Sequence, residues 1–170
     1  YYKNGEFTKY STLHEIPSYN QHLSDDITSN IREKLIDGVS KRIESDAPMG
    51  YLLSGGLDSS LVCSIASRYK AKKIRTFSIG METDPIDLKY AKEVAEYLNT
   101  DHTEVRMTKE QVLSSVDEVI YALETYDITT IRASIGMYLL AKYIHENTDI
   151  KVLLTGEVSD ELVGYKYTDF

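Results

Sequence analysis

A single cysteine, Cys63, rules out an internal disulfide. That fits a reducing compartment, and a cytoplasmic location is the expectation. There is no run of about 18 apolar residues, so no membrane span is expected. No secretory signal peptide is expected either. Positive charge is in deficit: 19 Lys and Arg stand against 27 Asp and Glu, a formal net charge of −8. This argues against a broad nucleic-acid surface. The four histidines, His14, His22, His102 and His145, lack ligand spacing, which argues against zinc. At 170 residues the chain suits one domain. Its start at Tyr1 without Met predicts a fragment or a processed product.

What is present is an alternation of strand-like and helix-like segments. Residues 1–22 have no stable period and read as a linker or the edge of an upstream domain. Ile27, Ile31, Leu35, Val39 and Ile43 form an i, i+4 stripe on one helix, predicted to pack on a sheet. Strands are predicted at Met49–Leu53, Ile74–Ile79 and Lys151–Leu154, with an edge strand at Thr103–Met107. Helices are expected between them, one opened by a capping box, Thr108 to Gln111. Thr125–Arg132 reads as a polar loop, and Tyr121, Tyr138 and Tyr143 as core residues on apolar helix faces. The alternation predicts an α/β fold, a doubly wound parallel sheet with helices on both faces.

The first predicted strand runs into Ser54-Gly55-Gly56-Leu57-Asp58-Ser59, and a helix follows. Paired glycines let the backbone turn tightly and approach a bulky anion. The helix start presents unpaired N–H groups and the positive end of its dipole. A Walker A loop would carry Lys after its second glycine, and this loop has none. Asp58 would repel a polyphosphate unless a cation lay between them, and Mg²⁺ joins carboxylates to phosphates in this way. The alternative is an ordinary capping residue after a glycine turn. The last strand runs into Thr155-Gly156-Glu157-Val158-Ser159-Asp160-Glu161, again combining glycine, hydroxyls and carboxylates. At the switch point of a doubly wound sheet the two loops can meet. Asp160 would then share a metal with Asp58, and Glu157 would face the substrate. A capped acidic first turn is the alternative here.

Together the two motifs resemble those of the N-type ATP pyrophosphatases. More narrowly, with Asp87-Leu88-Lys89 and Glu124 to Ser134, the chain resembles the synthetase domain of glutamine-hydrolysing asparagine synthetases. The resemblance implies an adenine nucleotide alpha hydrolase-like fold in residues 23–170, truncated at the C-terminus. Residues 1–22 would then border a missing upstream glutamine amidotransferase domain. It implies an ATP-dependent amide ligase that uses Mg²⁺ to adenylate the aspartate side chain, releases pyrophosphate and amidates with ammonia. The isolated piece is expected to be inactive.

By the same resemblance, Ser54, Gly55, Gly56, Asp58 and Ser59 hold pyrophosphate. Leu52, Ile79 and Gly156 line the adenosine site, Asp58 and Asp160 bind metal, and Glu157 handles the ammonia proton. Asp87, Thr129, Thr130, Arg132, Thr155 and Glu157 fall near the substrates. No nucleic-acid or membrane partner is expected; a homodimer is left open. Thr155 and Val158 stand where the family usually has Ser and Gly, which admits a β-lactam synthetase-like ligase acting on another carboxylate. A nucleotide-binding fragment without turnover is the remaining alternative.

Overall fold

Strand β3 (Met49–Leu52) lies at the centre, and the two sides of the sheet can be read from it. Successive side chains of a strand point to opposite faces. Tyr51 and Leu53 accordingly join Val39, Ile43, Val62, Cys63, Ile65, Ala66 and Ala95 in one buried cluster, while Leu52 joins Phe77, Leu140, Ile144 and Ile150 in another. Each fully buried large side chain stabilises the fold by roughly 1.5–3 kcal/mol. The computed structural model describes residues 2–9, 24–83 and 85–157.

The chain divides into two units, Tyr1–Leu35 and Ile36–Phe170. In the first, strands β1 (Tyr2–Lys3) and β2 (Glu6–Phe7) form a small antiparallel hairpin. Its turn residues Asn4 and Gly5 both have positive φ, 55° and 88°, as a two-residue hairpin turn requires. The unit also holds the start of helix α1 (Ser24–Arg42). Ile27, Ile31 and Leu35 are exposed, and of the predicted stripe only Val39 and Ile43 are buried. An i, i+4 stripe identifies one face of a helix, not how much of that face meets a sheet.

In the second unit, helix α2 (Leu57–Tyr69), strand β4 (Arg75–Met81), helix α3 (Ile86–Leu98) and strand β5 (Asp101–Met107) follow β3. Helices α4 (Lys109–Ser114), α5 (Val116–Leu123) and α6 (Ile128–Asn147) lead to strand β6 (Val152–Leu154). The sheet order is β5-β4-β3-β6, and every pairing is parallel. This is the expected doubly wound sheet: α2 and α3 contribute to one buried cluster and α6 to the other. The edge strand predicted at Thr103–Met107 is β5. The capping box at Thr108 is formed, with Gln111 N–H donating to Thr108 Oγ1 at 3.2 Å and Thr108 N–H to Gln111 Oε1 at 2.9 Å.

Two expectations change. α6 starts inside the predicted Thr125–Arg132 loop, because Asp127 caps it, accepting from Thr130 N–H and Thr130 Oγ1, each at 2.7 Å. Those bonds also hold the Asp127 carboxyl below its ordinary range. Tyr121 is not a core residue but 87% exposed. It lies two residues from the buried Val119, and positions two apart do not share a helix face. Tyr143 is partly buried against the α6 cluster, and the Tyr138 hydroxyl donates to Glu118 at 2.8 Å.

Cys63 is the core residue expected. It is fully buried, its thiol faces the Leu52 carbonyl at 3.8 Å, and burial pushes its pKa up to about 12. A thiolate is the reactive form. Cys63 is therefore expected to resist disulfide-exchange reagents at pH 8 in the folded protein and to react promptly in guanidinium. A colorimetric thiol titration with and without denaturant checks this.

Candidate active site

The strand order creates the site. From β3 the chain winds outward to β4 and β5, then returns to lay β6 on the other side of β3. The winding direction reverses between β3 and β6, and a crevice opens there at the carboxyl ends. Into it run the two loops singled out above, Ser54–Ser59 after β3 and Thr155–Glu157 after β6.

The first loop is stapled by its own hydroxyls. Ser54 Oγ lies 2.9 Å from Ser59 Oγ, and Ser54 N–H donates to Ser59 Oγ at 3.2 Å. Gly56 N–H donates to Ser54 Oγ at 3.3 Å, and Ser59 Oγ donates to the Gly56 carbonyl at 3.2 Å. Gly56 occupies the N-cap of α2 and provides no side-chain cap. The first-turn N–H groups are thus left without a capping side chain, the arrangement that suits an anion.

Two glycines bring the elements together. Gly55 has φ +82°, and a Cβ there would stand 2.6 Å from Ala91 N and from the Tyr90 carbonyl carbon. The turn therefore rests directly on the backbone of α3. At Gly156 a Cβ would stand 2.7 Å from Ser59 N and 2.8 Å from the Asp58 carbonyl carbon. The second loop thus lies against the first turn of α2, and the two motifs, about a hundred residues apart, touch. The Glu157 N–H donates to Thr155 Oγ1 at 3.4 Å.

Between them opens a cavity of about 350 Å³, within the range of small-molecule sites. Leu52, Ser54, Gly56, Asp58 and Ser59 border it from the β3 side, and Thr155, Gly156 and Glu157 from the β6 side. Ile79 from β4 and Asp87 from the first turn of α3 complete the set of anticipated residues found there. The cavity wall therefore combines an apolar part with hydroxyls and three carboxylates. Gly55 sits behind the loop, against α3.

Thr129, Thr130 and Arg132 are exposed in the first turns of α6 and are not among the cavity-lining residues. Gly136, further along α6, faces Ile79 and Met107 near the ends of β4 and β5, with its Cβ position 3.9 Å from each. At 1.5 Å rise per residue, the three residues stand roughly 6–11 Å further along the helix. Asp160 lies outside the described residues.

Sequence reasoning did not name Leu53, Phe77, Ser78, Met137 or Leu140 as site residues, yet all line the cavity. Phe77 and Ser78 were within reach of inference, since they directly precede Ile79 in the strand. The sequence shows Met137 and Leu140 only as part of an apolar helix face. Among the described residues no cluster of three or more His, Cys, Asp or Glu could hold a metal by itself, and no helix is long and apolar enough to cross a membrane.

The fold is also that of an NH3-dependent NAD synthetase from Campylobacter jejuni, whose structure superposes with a TM-score of 0.53 at 24% identity, covering 81% of this chain and 60% of that one. Among curated proteins, the rat glutamine-hydrolysing asparagine synthetase is 49% identical over 147 residues, and the human one 48%. Each match covers 83% of this chain, which spans 26% of the relative's length. The asparagine synthase family profile matches residues 30–169. On the strength of that match, the chain belongs to the asparagine synthase family.

Proposed function

We propose that this chain supplies the ATP site of an asparagine-forming ligase. ATP phosphorylates nothing in such a reaction; the aspartate side-chain carboxylate attacks the α-phosphate, pyrophosphate leaves, and ammonia then displaces AMP from the acyl-adenylate. The observation that carries the reading is the contact of Gly156 with the backbone of Asp58 and Ser59, which makes one crevice of two polar loops. Family membership supports it too.

In this reading the first-turn N–H groups of α2, with Ser54 and Ser59, hold the leaving pyrophosphate. Leu52, Ile79 and Gly156 hold the adenosine. Glu157 lies at the cavity edge where a carboxylate can take the ammonia proton, and Thr155 and Asp87 border the acceptor substrate. Thr129, Thr130 and Arg132, beyond the strand ends, would meet the outer part of that substrate. The donor set also fits a magnesium ion, which demands few protein ligands: one or two carboxylates beside the phosphates suffice. Asp58, which borders the cavity, would be one ligand, and Asp160 would be the second. When bound, Mg²⁺ would neutralise charge on the departing pyrophosphate.

The whole enzyme would include an upstream glutamine amidotransferase domain as ammonia source and would work in the cytoplasm, where the free thiol of Cys63 is stable. A homodimer is compatible with this assignment.

The test uses the complete protein and measures aspartate-dependent exchange of labelled pyrophosphate into ATP. Exchange is expected in the unmodified protein and should fall by about 10²–10³-fold in Asp58→Ala, the loss typical of removing a group that stabilises developing charge. Exchange that ignores aspartate, or that survives Asp58→Ala undiminished, defeats the assignment.

A further inference from the structure

The residue that stands out beyond the cavity is His102 on β5. Both of its ring nitrogens are engaged by hydroxyls of the neighbouring strand. Nδ1 lies 2.9 Å from Thr76 Oγ1, and Nε2 lies 3.1 Å from Ser78 Oγ. Thr76 Oγ1 in turn lies 2.8 Å from Thr100 Oγ1. The ladder sets Thr76 directly opposite His102, while Ser78 lies opposite Glu104. The ring therefore leans along the sheet to reach a partner two residues further on. Thr76 and Ser78 are 0% and 4% exposed, so these hydroxyls have little access to water.

Ser78 connects this network to the site. It borders the cavity, as do its strand neighbours Phe77 and Ile79. Phe77 belongs to the α6-side cluster. Alternation along the strand turns the Ser78 side chain to the opposite face. Ser78 thus borders the cavity while its hydroxyl is held by His102. A neutral imidazole has one N–H donor and one acceptor. It can accept from the Ser78 O–H and donate its own N–H to Thr76, whose O–H then donates to Thr100, so each ring nitrogen and each hydroxyl of the row has a partner.

We propose that His102 is a positioning residue for nucleotide binding: through Ser78 it fixes the β4 wall of the cavity without touching the ligand. The inference rests on the assignment of ATP to that cavity. Loss of the ring leaves the Ser78 hydroxyl without its partner, and the β4 wall is free to shift. The consequence is weaker ATP binding with chemistry little changed, because the reacting groups sit on the β3 and β6 loops.

The experiment is a double-mutant cycle on the complete protein, reading KM for ATP, kcat and melting temperature. H102A is expected to raise KM for ATP roughly three- to tenfold, in the range of coupling between contacting residues, with kcat within about twofold. S78A is expected to do the same, and H102A/S78A no more than either alone. H102Q, whose amide offers both a donor group and an acceptor oxygen, should recover most of the affinity and serves where H102A fails to fold. If H102A lowers the melting temperature but leaves KM for ATP unchanged, or if the two effects multiply, the inference is overturned and the ATP assignment stands. If the unmodified protein shows no dependence on ATP, both are overturned.

Discussion

Gly55→Ala is expected to lower the melting temperature of this domain by roughly 5–15 °C. Two costs add at this position. The backbone lies at φ +82°, where a side chain costs about 1–2 kcal/mol. The new methyl would also stand 2.6 Å from backbone atoms of Tyr90 and Ala91 and 2.7 Å from the Tyr90 Cβ. Backbone atoms of a helix cannot swing aside as a side-chain tip can, so the loop or α3 must move, at about 1–3 kcal/mol. The sum is roughly 2–5 kcal/mol, against a total stability of about 5–15 kcal/mol. At this chain length each kcal/mol shifts melting by about 2–4 °C. Gly38→Ala in the middle of α1 is the control, because there a Cβ meets nothing closer than Arg42 Nη1 at 3.6 Å. It should be neutral or stabilising by about 0.5–1 kcal/mol. Calorimetry of both variants in the complete protein decides the matter. A Gly55→Ala transition that coincides with that of the unmodified protein would mean that the loop does not rest on α3.

This contact also marks where sequence reading stops. The paired glycines are visible as a motif, and the motif implies a turn. That the turn is seated on Tyr90 and Ala91, some 35 residues away, depends on how α3 crosses the sheet, and no local pattern encodes it. The alternation of strands and helices was legible because burial on both faces leaves short apolar runs, as at Tyr51-Leu52-Leu53. The capping box at Thr108 was legible because its chemistry is entirely local. The start of α6 was hidden: Thr129 and Thr130 have poor helix propensity, and a single carboxylate at Asp127 outweighs it. The exposed half of the α1 stripe was hidden for the opposite reason, since periodicity reveals a face but not its partner. Within the site, polar residues of the two loops announce themselves, whereas Met137 and Leu140 look the same whether they line a cavity or fill a core.

Gly156→Ala should separate binding geometry from stability. Here glycine is required for space. The added methyl would fall 2.7 Å from Ser59 N, 2.8 Å from the Asp58 carbonyl carbon and 3.0 Å from Ser59 Cα. Carbon and nitrogen at van der Waals contact need roughly 3.5 Å or more, so the loops must part by somewhat under 1 Å. That distance is small for the fold, since among the described residues the segment follows β6, a strand at the end of the sheet order. For catalysis it is large, because a misplacement of about 1 Å can cost about 10²-fold in rate. It separates Ser59 and Asp58, on one wall, from Glu157 on the other. The expected result in the complete protein is a roughly hundredfold fall in aspartate-dependent pyrophosphate exchange, with a melting temperature far less affected than that of Gly55→Ala. Equal losses of stability in the two variants would instead make Gly156 a packing residue. Undiminished exchange would mean that the close approach of the two loops is not what aligns the reacting groups.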